Sequence, residues 1–185
     1  AIRYYTADAA LLGQPRKMIV GADCAGQIVE AGVWCEAAAI NPFEKDGPYD
    51  DFDNAYAQID AGLDYTFENG LYLLGEYYYN GLGKKSWKDY NGMDLLNLMG
   101  GAMSGLGQHY LMAGGNTELI AHTTTSLFVL ANLTDQSLIL LPTVEYAVHD
   151  NILLELGARI AAGDRRESEY GSLYHGMHCT VQGYF

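Results

Sequence analysis

Glu145 and Glu155 lie five residues to either side of Asp150. A hairpin turning there sets the two carboxylates opposite each other across a pair of strands, and facing like charges repel unless Arg159, a cation or a proton joins them. A turn displaced by one residue would dissolve the pair. Cys24 and Cys35 stand in the same relation about a two-residue turn between Val29 and Glu30, which makes a cross-strand disulfide thinkable in an oxidising compartment. Directly paired strand disulfides are strained, so the alternative is two small apolar residues, with Cys179 a third. Catalytic chemistry is thinly marked. Of His109, His122, His149, His175 and His178, only His175 stands in a long connection near an acid and phenols, Glu169, Tyr170 and Tyr174. A base at that place and an ordinary loop histidine are the two readings. No CxxC, HExxH, GxSxG or Walker sequence occurs, and the glycines at 100, 101, 105 and 107 do not join a strand to a helix. Neither a metal, a cofactor nor an enzymatic activity is expected.

The elements that carry these residues have a period of two. Alternation of apolar and polar residues recurs near 17–27, 31–41, 55–67, 71–81, 107–116, 122–132, 138–148, 152–162 and 175–185. Short connections fall at Ile28 to Glu30, Glu68 to Gly70, Thr117 to Ile120 and His149 to Asn151. Longer ones cover 42–54, 82–106 and 163–174, with a tight turn at Thr134 to Gln136 as the exception. No window holds the eighteen or so uninterrupted apolar residues of a membrane helix. The 15 Tyr and 22 Gly among 185 residues suit curved strands with aromatic rings at a water–lipid boundary. The excess of 23 acidic over 10 basic residues argues against a nucleic-acid partner.

Strand parity sorts the charges. In the third strand Ala57, Ile59, Ala61, Leu63, Tyr65 and Phe67 share one face, which leaves Gln58, Asp60 and Asp64 on the other. The same parity puts Asp23, Glu36, Glu76, Glu145, Glu155, Arg159 and His178 on the polar side. Seven carboxylates then face Arg159 as the sole full cation. They are either wetted interior groups, members of a hydrogen-bonded plug, or the lining of a lumen that favours cations.

Three stretches resemble bacterial outer-membrane β-barrel proteins of the porin type. The closing strand alternates Met177, Cys179, Val181 and Gly183 with His178, Thr180, Gln182 and Tyr184, and stops on Phe185. Residues 64–80 and 150–164, the latter followed by Ser168 to Gly171, look like hairpins from the later half of such barrels. With the final strand they cover most of 17–185. The resemblance implies an all-β, antiparallel transmembrane β-barrel in the bacterial outer membrane, with Phe185 read by the barrel assembly machinery. Barrels keep short turns periplasmic and long loops outside, which puts Phe185 at the periplasmic rim. Residues 1–16 are then an extracellular segment or a weak first strand, and 17–185 the spanning part. The start at Ala1, without a signal peptide, reads as processed or truncated. Nine strands want a partner. Either Ile2 to Leu12 supplies a tenth, or the chain is the carboxyl-terminal part of a larger barrel completed by upstream strands or a second chain.

The function expected is passive diffusion of ions or small solutes through an acidic lumen; the competing reading is a closed structural barrel whose loops bind a partner. Asn91 to Gly105 is the only helix-like stretch, suited to a constriction in the barrel mouth or to packing on an outer loop or subunit. Lys84, Lys85 and Lys88 form either a rim contact to lipopolysaccharide phosphates or an acidic neighbour, or a solvated basic loop.

Overall fold

The computed structural model describes residues 2–7, 17–42 and 54–184. Ten antiparallel strands form a single sheet whose spatial order is the chain order. They are β1 (Ile2–Ala7), β2 (Lys17–Ile28), β3 (Ala31–Pro42), β4 (Tyr56–Thr66), β5 (Tyr72–Asn80), β6 (His109–Ile120), β7 (Thr123–Asn132), β8 (Ser137–His149), β9 (Ile152–Ala162) and β10 (Gly176–Gly183). The chain is therefore an all-β meander in which every strand pairs with its sequence neighbour. Strands β2 to β9 run 9 to 13 residues.

The period-two pattern places these strands to within a few residues, with two differences. The Thr117 to Ile120 connection is strand: Thr117 and Glu118 pair with Thr125 and Thr124, and the turn moves to Ala121 and His122, with His122 at φ 65°. Threonines favour a pleated ladder, and a bulge at Glu118/Ile120 absorbs the odd residue. At its other end β6 starts at His109 because Gly107 and Gln108 donate their amides to Tyr110 Oη and Thr134 Oγ1. In β8, Leu141 and Pro142 drop out of the pairing with β9, as an imide without N–H requires.

Ile2–Ala7 does supply a tenth strand, in register with Lys17 to Ala22. The ten strands do not close, however. Among the described residues no ladder joins β1 to β10, so where a barrel was expected the sheet is open, ending at one side in a strand of only six residues. Phe185 lies outside the described residues, as does most of the 42–54 connection.

An α-helix, α1 (Gly92–Met99), and a 3₁₀ turn at Trp87–Asp89 interrupt the connection from β5 to β6. Asn91 Oδ1 accepts from the amides of Met93 and Asp94, and Asp94 Oδ2 accepts from the Asn91 amide, a reciprocal cap. Asp94 is fully buried, and Lys84 Nζ stands 3.4 Å from its other oxygen. Gly101, at φ 75°, ends the helix in the left-handed conformation. A small core of Tyr110, Ile139 and Tyr170, flanked by Tyr78 and Leu130, sits where this connection and the 163–175 connection meet the sheet. Among the described residues no helix is long and apolar enough to cross a membrane.

Candidate functional site

The two faces of the sheet differ in chemistry throughout. Pairing carries one parity across all strands from β2 to β10: Asp23 faces Glu36, Glu36 faces Asp60, Asp60 faces Tyr78, Tyr78 faces Tyr110, and Tyr110 faces Asn132. Asn132 then faces Ser137. Every charged residue expected on the polar side lies on this face. The opposite face presents exposed apolar side chains strand after strand, among them Met18, Ile59, Leu63, Leu73, Leu111, Leu127, Val144, Leu156, Ile160 and Val181. A sheet on the surface of a soluble domain would turn such a face inward.

The charges on the polar face form two groups. Asp23, Glu36 and Asp60 stand side by side in one row across β2, β3 and β4, with Glu76 in the next row and Asp64 in the one after it. Ile19, Asp23, Glu36, Gln58, Asp60 and Tyr78 help to line a hollow of about 310 Å³ along this row. Trp34 Nε1 stands 3.2 Å from Asp60 Oδ1 and 3.2 Å from Glu76 Oε2, donating to both. Asp64 accepts from the Tyr72 hydroxyl at 3.1 Å. The second group holds Glu145, Glu155, Arg159 and His178 on β8 to β10. Between the groups, β6 and β7 present Tyr110, Met112, Phe128, Leu130 and Asn132, and Glu118 at the short-turn end of β6 stands in the row of Thr124, Glu145 and Glu155, so the acids do not form a ring.

Glu145 faces Glu155 directly, although the turn itself pairs His149 with Ile152; a bulge between Ala147 and His149 brings the two carboxylates into register. Arg159, however, is not the group that joins them. His178 approaches Glu155 instead, with Nε2 2.8 Å from Oε1. Four residues of extended strand separate the Cα atoms of Arg159 and Glu155 by about 13 Å. His178 lies opposite Gly157, and its ring covers the space that a Cβ there would occupy. Cys24 faces Cys35 in register, on the apolar face, and both thiols are free. Among the described residues no three His, Cys, Asp or Glu side chains gather as a metal-ligand set.

The connections from β5 to β6 and from β9 to β10 fold over the polar face and cap one end of it. Ser104 Oγ lies 2.7 Å from the Tyr78 hydroxyl and accepts from Gln58 at 3.4 Å. Fully buried Asn80 donates to the carbonyls of Gly105 and Gly107. The 163–175 connection enters through Glu169, whose Oε2 accepts from Tyr110 Oη at 2.7 Å, Asn132 Nδ2 at 2.8 Å and the Leu106 amide at 3.1 Å. Asp135 Oδ2 accepts in turn from the Glu169 amide, Asn132 Nδ2 and Tyr90 Oη. Burial holds the Glu169 carboxyl above the usual carboxylate range, although the hydrogen bonds from Tyr110, Leu106 and Asn132 favour its charged form. Burial likewise raises the phenols of Tyr90 and Tyr170.

Comparison with protein-family models, with curated proteins and with solved structures finds no match.

Sequence patterning brings the nine charged residues to one face but does not single out Trp34, Tyr110, Asn132 or Asp135, and marks Glu169 only as a neighbour of His175. Parity alone could have placed Trp34, Tyr110 and Asn132 beside the acids. Asp135 and Glu169 sit in connections, where no period reports direction.

Proposed function

We propose that the chain belongs to a transmembrane β-barrel of a bacterial outer membrane and contributes to a passive, cation-favouring channel. One observation carries the reading: an exposed apolar face runs over the strands from β2 to β10, and the charged residues of those strands stand on the face behind it. That is the division a spanning sheet needs, with lipid on one side and water on the other. Strand lengths of 9 to 13 residues suit a tilted crossing of the hydrocarbon layer. Aromatic groups mark both ends of the apolar face. Tyr65 and Phe67 pack edge to face at 4.7 Å near the short turns, and Tyr77 hydrogen-bonds His109 at 2.7 Å near the long connections. In this reading the long connections are extracellular, the outer edges of β1 and β10 are completed by further strands, and Lys85 and Lys88 lie at lipopolysaccharide level.

The row Asp23, Glu36 and Asp60, with Glu76, supports cation preference, since charges lining a water path set the sign of the ion that passes. The capped end favours a second reading, in which loop and side chains plug the interior and the protein is a structural barrel. The reversal potential of the purified protein in planar bilayers under a salt gradient decides between them. Cation selectivity that weakens in a D23N/E36Q/D60N variant is the expected result; a non-conducting protein leaves the plugged barrel, and anion selectivity removes the role given to the acidic wall.

A further inference from the structure

A cavity of about 750 Å³ opens between α1 and the 163–175 connection, within the range of small-molecule sites. Its walls are apolar: Trp87, Leu95, Leu98, Met99 and Leu173. Several of these side chains have no cover, Leu95 being 50% exposed and Met99 78%. A short helix that leaves its leucines and methionines to solvent on the side facing a cavity is a helix without its natural contact.

The cavity also gathers charge of one sign. Lys88, Arg165 and Arg166 line it, three of only ten basic residues in a chain of net charge −13. Among the described residues none of the three has an acidic partner within ion-pair distance, whereas neighbouring Lys84 is held by Asp94. Of the two acids at the cavity, Glu169 is turned into the Tyr110, Asn132 and Leu106 hydrogen bonds, so exposed Glu167 is the sole acid at the mouth. Cations over an apolar chamber match a ligand with an anionic head and a hydrocarbon tail. We propose that this cavity binds a single-chain anionic amphiphile, a long-chain carboxylate, with its head among Lys88, Arg165 and Arg166 and its chain against Leu95, Leu98 and Met99. Planar guanidinium groups suit a carboxylate by paired hydrogen bonds. The proposal goes beyond the channel reading and holds equally for a conducting or a plugged barrel, because the cap is the same in both.

Trp87 makes the site visible. The test is titration of the full chain, held in amphipol so that detergent cannot compete, with a bromine-substituted dodecanoate that quenches indole fluorescence on contact. Saturable quenching is expected, and it should vanish in W87F while Trp34 emission persists. A K88A/R165A/R166A variant should bind about tenfold more weakly. The bromododecanol of equal length should bind the unmodified protein no better than that. Leu98→Asp, with all three cations in place, should also abolish binding. Absence of saturable quenching in the unmodified protein would overturn the proposal, as would equal affinity for acid and alcohol or full affinity in the triple variant.

Discussion

The indole of Trp34 lies across Gly62, its directly paired neighbour on the adjacent strand, and occupies the space that a Cβ at position 62 would need. From there Nε1 reaches both Asp60 and Glu76. The missing side chain at 62 is what lets one donor serve two acids on different strands. His178 over Gly157, reaching Glu155, repeats the arrangement at the other acidic group.

Gly62→Ala is therefore expected to push the indole off the acids and to destabilise the protein by about 1–3 kcal/mol through overpacking. Trp34→Phe should keep the packing and lose only the two hydrogen bonds. A denaturant midpoint that falls more in Gly62→Ala than in Trp34→Phe checks this; equal or reversed effects would show that the indole does not depend on the glycine.

His178 should matter through Glu155 and its facing partner Glu145. We expect His178→Ala to lower stability by roughly 1 kcal/mol, by leaving two facing carboxylates with no donor. Adding Glu145→Gln should restore most of the loss. A double-mutant cycle in unfolding reads the coupling, and simple additivity of the two changes would refute it.

The Glu169 carboxyl is held above its ordinary range by burial, so the folded state keeps this proton to higher pH than the unfolded chain does. The contribution is then largest below the unfolded carboxyl value of about 4.3 and is lost as pH rises through the folded one. Hydrogen exchange of the Leu106 and Glu169 amides across that range should show the cap loosening upward in pH. Glu169→Gln should flatten this dependence. Protection that instead rises with pH through this window would contradict the assignment.

If the barrel conducts, the cap should limit it. Deleting residues 92–104 removes α1 together with Ser104, which hydrogen-bonds Gln58 and Tyr78, and single-channel conductance should rise several-fold, with cation preference retained. An unchanged conductance would place the narrowest point elsewhere.

Cys24, Cys35 and Cys179 all lie on the apolar face. In lipid bilayers a membrane-permeant maleimide should label them far faster than a charged thiosulfonate does. Comparable rates for both reagents would put that face in water and remove the basis for a spanning sheet.

Local alternation of residue types determined the strands, their faces and most of their register, because a strand's side-chain period is a property of the strand alone and one-residue slips would bury carboxylates on the apolar side. The facing pairs Glu145 with Glu155 and Cys24 with Cys35 follow from that, as does the single face shared by Asp23, Glu36, Asp60, Asp64, Glu76, Glu145, Glu155, Arg159 and His178. The sequence does not tell Thr117 to Ile120 from a turn, because its polar residues suit a connection as well as a threonine-rich ladder. Only the tertiary structure decided that His178 and not Arg159 approaches Glu155, that β6 and β7 split the acids into two groups, and that Glu169 and Asp135 lock two connections onto Tyr110 and Asn132. All but the Asp135 to Asn132 contact join residues more than twenty positions apart, brought together by pairing and burial, and the connections that carry Glu169 and Asp135 have no period from which their direction could be read.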